Sequence, residues 1–297
     1  MAMGAADVVP GVSGGTIAFI TGIYEELINS IRSVPEALKL FFTGKSKAAF
    51  EKANIFFMAV LLAGIGTSVF TLAAAITRLL KDYPIPVWSF FFGLILASTV
   101  FVAKSMKKMD VQSAVLFLTG TVIAYIITIA APSETANSNP VIFLSGAVAI
   151  CAMILPGISG SFILLLIGKY QLIMDSLKSM DFEVIFFFGA GCLVGLLSFA
   201  RVVSFMFKRF HQATLALLTG FMIGSLNKVW PWKKVLETRI NSKGEEVPLL
   251  EESISPVAYE ELLGQNPQIP AAIGMALIGF TLVFVIERIS QKLNTKA

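Results

Sequence analysis

Charge is scarce in this chain. Lys, Arg, Asp and Glu make up 14% of its 297 residues, where soluble domains carry about 25%. Hydrophobic residues reach 56% and the mean hydropathy is +0.81, so a soluble globular domain is excluded and an integral membrane protein is implied. Histidine occurs once, and Cys151 and Cys192 stand singly in apolar runs without Cys-x-x-Cys spacing. That assigns the cysteines to packing and leaves no disulfide or metal site to expect. No G-x-x-x-x-G-K-[ST] is present, so nucleotide-driven chemistry is not expected. A basic leader is also missing from the opening Met1–Asp7, and no cleavable signal is expected. The net charge of +4 does not point to nucleic acid, because Lys and Arg sit at the ends of apolar runs, where headgroups and topology account for them.

What the chain does have is a repeated break. Pro10-Gly11-Val12-Ser13-Gly14 returns 146 residues later as Pro156-Gly157-Ile158-Ser159-Gly160, and at the same spacing Ile17, Gly22, Tyr24 and Ser30 match Ile163, Gly168, Tyr170 and Ser176. Pro lacks an N–H and Gly adopts backbone angles closed to other residues, so each step interrupts an apolar helix for a local reason. Farther on, Gly93-Leu94-Ile95-Leu96-Ala97-Ser98 resembles Gly220-Phe221-Met222-Ile223-Gly224-Ser225. The chain is a duplication. Paired Gly/Pro-interrupted segments in two halves are a pointer to a transporter site near the bilayer midplane.

Apolar runs long enough for roughly 30 Å of hydrocarbon predict crossings at 55–77, 86–103, 113–131, 184–206, 213–228 and 269–286. The segments 3–31 and 141–176 are predicted as broken, re-entrant hairpins. If each hairpin returns to the side it came from, loops 32–53, 104–112, 207–213 and the tail after 286 share one side with 5, 3, 2 and 3 basic residues. Loops 78–85, 132–140 and 169–183 share the other with 2, 0 and 2, which makes the first set cytoplasmic. One hairpin plus three crossings is an odd number of passes, so the halves 1–133 and 140–297 are expected to form an inverted repeat. The segment 228–268, with seven Glu, is then an extracellular insertion. Only nine residues precede Pro10, so a short first half-helix is expected.

At a helix break in lipid, the following half-helix presents free N–H groups carrying roughly +0.5 charge. Ser13, Gly14, Gly15 and Thr16, and Ser159, Gly160 and Ser161, offer backbone donors and hydroxyls suited to a phosphate or carboxylate. Small residues also serve close helix packing, but two matched copies favour the anion. Asp7, whose counterpart is Met153, is a candidate for a coupling proton or a bound cation, with a solvated helix-end carboxylate as the plainer reading. Glu25, beside Glu26, is a second coupling candidate at an expected interface. Arg201 stands well inside a crossing, and its fork could hold a phosphate bidentately or snorkel toward the interface near Lys208. Arg78 and Arg209 are expected interfacial anchors. Gly11-Val12-Ser13-Gly14-Gly15 also fits G-x-S-x-G, and Gly-x-Ser-Gly resembles the nucleophile signature of rhomboid proteases. A serine nucleophile needs a base, and the single histidine, His211, falls in a loop.

The string Gly4-Ala5-Ala6-Asp7-Val8-Val9-Pro10-Gly11-Val12-Ser13-Gly14-Gly15-Thr16-Ile17-Ala18, with Thr21-Gly22-Ile23-Tyr24-Glu25-Glu26-Leu27-Ile28 and Ile154-Leu155-Pro156-Gly157-Ile158-Ser159-Gly160-Ser161, closely resembles a bacterial membrane family. That family is the polyprenyl-phosphate transporters, PopT, formerly catalogued as domain of unknown function 368. The resemblance spans essentially the whole chain. It implies a transporter, not an enzyme, that returns undecaprenyl phosphate across the bacterial cytoplasmic membrane for cell-envelope synthesis. The expected fold is an all-α, multi-pass inverted repeat, each half a re-entrant hairpin plus three crossings, with a cytoplasmic N-terminus. No cofactor or nucleotide is expected, and a proton or sodium gradient is a possible drive. A transporter or channel for a small anion is the alternative, since it would use the same half-helix ends, and an intramembrane serine hydrolase is the third reading.

Overall fold

The computed structural model describes residues 1–9, 12–106, 110–240, 244 and 246–294. Pro10 and Gly11, on which the first break was read, lie outside the described residues. The first half of the chain forms α1 (Ala2–Asp7), α2 (Gly14–Ile20), α3 (Tyr24–Phe42), α4 (Ser46–Lys52), α5 (Ile55–Asp82), α6 (Pro84–Ser105) and α7 (Val111–Ile129). The second forms α8 (Asn139–Ile154), α9 (Gly160–Leu166), α10 (Tyr170–Ser179), α11 (Phe182–Arg209), α12 (His211–Ser225), β1 (Lys233–Ile240), β2 (Glu246–Ser253), α13 (Pro256–Leu263) and α14 (Ile269–Asn294).

Four helices, α5, α6, α7 and α11, are long and apolar enough to cross a membrane. They cover the crossings predicted from 55, 86, 113 and 184. Helix α14 runs 26 residues, Ile269–Asn294, with an apolar stretch at 269–285. The remaining predicted crossing, 213–228, is shorter than the roughly 20 residues of a span, because α12 has 15 residues before a 3-10 turn, Leu226–Val229, takes over. Most of α12 is buried inside the bundle, so protein rather than lipid surrounds it and its length need not match the bilayer. The all-α expectation is incomplete as well. The 228–268 segment holds an antiparallel pair, β1–β2, running from Lys233 opposite Ser253 to Ile240 opposite Glu246. Apolar and charged residues mix along both strands, so no helical stripe forms.

Both breaks produce the same local geometry. Ser13 and Ser159 are extended, at φ −115° and −100°, immediately before α2 and α9. Seven helical residues later, Gly22 and Gly168 sit at φ +75° and +68°. The N–H of the next residue reaches back to the carbonyl five positions earlier, Ile23 to Ala18 at 3.0 Å and Lys169 to Leu164 at 2.8 Å. This is the Schellman closure, in which glycine takes the left-handed position without steric cost.

The two hairpins come from opposite ends of the bundle. The end of α9 returns to the segment that precedes α8: the Ser133 N–H donates to Leu166 O at 2.8 Å, and Lys169 Nζ donates to Thr135 O and Asn137 Oδ1, each at 2.6 Å. The chain then bends by 109° into α10. The β-hairpin lies at this end, where Arg239 covers the Tyr170 ring at 4.9 Å. The end of α2 instead reaches the α11–α12 turn, where Tyr24 packs on Phe207 and Glu25 meets His211. The helix pair α3–α4 lies there too. Helices exchange partners between the halves, α6 packing on α14 and α7 on α12. An added Cβ at Gly93 or Gly279 would strike the carbonyls of Ala276 or Phe90, and one at Gly220 that of Phe117. Such close backbone approach is how membrane helices gain van der Waals contact without a hydrophobic drive between them.

Candidate functional site

The hairpin tips meet. The Ser13 hydroxyl donates to Met153 O at 3.0 Å, and the Gly157 N–H donates to Thr16 Oγ1 at 2.9 Å. An added Cβ on Gly15 would lie 2.5 Å from Ile154 O. The N-terminus of α2 therefore faces the C-terminus of α8, placing a partial positive end against a partial negative one. Ser13 and Thr16 are buried.

The two tips are satisfied differently. At the first, Asp7 Oδ1 accepts the Gly14 N–H at 2.6 Å, and Ser13 Oγ accepts the Gly15 N–H at 3.0 Å. The seat that a ligand anion would take on α2 is filled by a carboxylate of the chain itself. At the second, Met153 stands at the position equivalent to Asp7, and Ser159 makes no side-chain cap. Its Oγ pairs with Ser161 Oγ at 2.8 Å. Gly160 packs on α8, where an added Cβ would come within 2.6 Å of Ala149 O. Neither Ser13 nor Ser159 has a His, Lys, Asp or Glu side chain among its hydrogen-bond partners in the described residues.

The remaining sequence candidates lie elsewhere. Glu25 is half exposed and bonds His211 Nε2 at 3.1 Å, one turn beyond the first hairpin. Arg201 is exposed and is not among the residues gathered at the tips. It lines a cavity of about 270 Å³ with Arg32, Glu36, Phe205 and Lys208. Cys151 and Cys192 are free and point at the carbonyls of Gly195 and Gly146 across the α8–α11 contact. Among the described residues no group of three His, Cys, Asp or Glu converges as a metal site would require.

Sequence reasoning missed a cation cluster at the β end. Glu251 on β2 accepts from Lys228 Nζ at 3.2 Å and from Lys233 Nζ at 3.4 Å. Lys228 also lies 4.5 Å from the Phe162 ring centre on α9, and Lys233 lies 4.0 Å from that of Trp88. Burial pushes the Lys233 ammonium down to about 8, against the opposing pull of Glu251. Burial alone would raise the Glu251 carboxyl, but the two lysines outweigh it and hold it below the usual carboxylate range. The signal available beforehand was Lys228 directly after a buried helix. Its acidic partner lay 23 residues away on a strand.

Beside the first hairpin runs an apolar crevice of about 440 Å³ between α1, α2, α5, α6 and α14, lined by Ile17, Ile20, Phe90, Phe91, Leu94 and Val283 among others. Two of its lining residues, Leu79 and Leu282, are exposed.

The model of the VCA0040-like family, described as undecaprenyl phosphate translocase-like, matches residues 3–247. A polyprenyl-phosphate transporter of Vibrio cholerae serotype O1 is 45% identical over 293 residues, covering 98% of this chain and 95% of the relative. Another of that name from Staphylococcus aureus is 30% identical over 248 residues, covering 77% of this chain and 83% of the relative. No solved structure matches the chain.

Proposed function

Since the chain belongs to the VCA0040-like family of undecaprenyl phosphate translocase-like proteins, we propose that it carries a polyprenyl phosphate across the bacterial cytoplasmic membrane by alternating access. The observation that carries this reading is the apolar crevice beside the meeting hairpin tips. A small-anion pathway has no use for an apolar wall of this size. A prenyl chain does, and it can stay in the crevice while its phosphate engages the polar tips.

The halves 1–133 and 140–297 act in this proposal as an inverted repeat, with 228–268 as an extracellular insertion. Supporting it are the hairpins that return to opposite ends and the reciprocal α6–α14 and α7–α12 packing. In this reading the α3–α4 end and the N-terminus face the cytoplasm, supported by the basic residues of the loops at that end. The phosphate seat comprises Ser13, Gly14, Gly15 and Thr16 of one tip and Ser159, Gly160 and Ser161 of the other. Asp7 accepts the Gly14 N–H in the first part of that seat. An arriving phosphate must displace a like-charged carboxylate, which is relieved if Asp7 takes up a proton, so Asp7 is the coupling residue and a proton gradient the drive. Glu25, tied to His211 at the interface, serves as a relay to that end. A serine hydrolase is disfavoured, because among the described residues neither tip serine hydrogen-bonds a basic side chain.

The test is transbilayer movement of undecaprenyl phosphate in proteoliposomes, with the neutral prenol as control. Wild type should move the phosphate and not the prenol, and Ser159→Ala should slow it. Absence of movement under both proton and sodium gradients would overturn the proposal.

A further inference from the structure

Arg201 belongs to a cleft that spans three elements. The cavity it shares with Arg32, Glu36 and Lys208 continues into a second of about 280 Å³ lined also by Asn29 and Lys52. Four cations from α3, α4 and α11 thus face a single carboxylate. That carboxylate is already engaged, since Glu36 Oε2 lies 2.9 Å from Lys52 Nζ. Arg32 is oriented by a relay in which its Nη1 donates to Ser204 Oγ at 3.1 Å and Ser204 donates to Asn29 Oδ1 at 2.8 Å. This uses one donor of a five-donor fork. Arg201 and Lys208 make no hydrogen bond or ion pair among the described residues.

Like charges gathered around a cavity focus a positive field and raise the local concentration of anions. Two guanidiniums and an ammonium match a tetrahedral oxyanion with several terminal oxygens and more than one charge. On the same helix Val202 and Phe205 are exposed at 52% and 58%, which puts exposed apolar surface directly beside the polar cleft. We infer that the Arg32–Arg201–Lys208 cleft is a binding seat for a phosphate monoester at the α3–α4 end of the bundle, separate from the hairpin tips. The anion chemistry stands on the cleft alone. That the monoester is a lipid headgroup, with its chain along the Val202–Phe205 face, rests on the transport reading above.

The experiment measures binding by isothermal titration calorimetry to the full chain in phosphatidylcholine nanodiscs. The probes are farnesyl phosphate, inorganic phosphate, farnesol and phosphatidylglycerol. Arg32→Gln with Arg201→Gln should weaken farnesyl phosphate at least tenfold, while Lys39→Gln with Lys47→Gln, which removes equal charge elsewhere, should not. Arg32→Lys with Arg201→Lys should keep part of the affinity, which separates lost binding from lost folding. Tighter binding of farnesyl phosphate than of inorganic phosphate assigns the seat to a lipid head, and equal binding assigns it to the free ion. Both support a seat for a phosphate with terminal oxygens, and only the first supports a monoester. Unchanged affinity in the glutamine variant overturns it, as does phosphatidylglycerol binding as tightly as farnesyl phosphate, since a diester would make the cleft a general anchor for anionic lipid. Monoester binding here without lipid movement in proteoliposomes would sink the transport proposal and leave the cleft. Movement with normal binding in the glutamine variant would do the reverse.

Discussion

Thr16 accepts a hydrogen bond from the Gly157 N–H at 2.9 Å, joining residues 141 apart in sequence and the tips of two hairpins. The bond is buried, so its loss leaves the Gly157 donor without a partner. Thr16→Val keeps the side-chain shape and removes the acceptor. It should destabilise the protein by about 1–3 kcal/mol, seen as a lower unfolding temperature in detergent. Thr16→Ser should restore most of the loss, and a Thr16→Val protein that melts like wild type would show that the tips do not depend on this contact.

Asp7 caps α2 through the Gly14 N–H at 2.6 Å. Asp7→Asn retains an acceptor oxygen but no charge, which reduces a charge-assisted bond of about 1.5–3 kcal/mol to a neutral one of about 0.5–1.5 kcal/mol. The hairpin should survive. Transport of polyprenyl phosphate should then lose its response to an imposed pH gradient. A retained response in the asparagine variant would move the coupling role off Asp7.

Gly22 and Gly168 share the left-handed conformation and differ in surroundings. An added Cβ at Gly22 meets open space, whereas at Gly168 it falls 2.9 Å from Ser133 O. Gly22→Ala should cost about 1–2 kcal/mol, the backbone penalty alone. Gly168→Ala should cost more, because it also pushes the 133–137 segment off the hairpin. Thermal melts of the two variants side by side test the order.

Lys233 titrates near 8 in the folded chain against an ordinary 10.5. Between those values the undocked strand holds more protons than the docked one, so docking of β1–β2 strengthens as pH rises from about 8 toward 10. All three tryptophans, Trp88, Trp230 and Trp232, lie around this site. Intrinsic fluorescence should therefore shift with a midpoint near pH 8, and the shift should vanish in Lys233→Met. Glu251→Gln leaves two lysines without their counter-charge. It should destabilise this region by about 3–5 kcal/mol and move the midpoint lower.

Much of the architecture was legible because helix breaks are local. Pro156-Gly157 and the matched glycines Gly22 and Gly168 act through their own backbone angles, and those can be read without knowing any neighbour. Hydropathy located α5, α6, α7 and α11 for the same reason. It overstated 213–228, because an apolar run does not distinguish a helix facing lipid from one buried in protein, as α12 is. The β1–β2 pair was not legible. Its strands mix charged and apolar residues without strict alternation, and their pairing depends on Lys228, Trp232 and the bundle beneath them.

By itself, the amino-acid sequence determined that this is a mostly helical membrane protein with matched Pro/Gly interruptions, because composition and Pro/Gly steps act over a few residues at a time. Only the tertiary structure decided which charges belong together. It put Asp7 on the amide it caps, set Ser13 and Thr16 against the end of α8, and drew Glu251 between Lys228 and Lys233. It also took Arg201 away from the tips and set it beside Arg32. Those partnerships form where separate elements meet, and the spacing along the chain carries no record of the meeting.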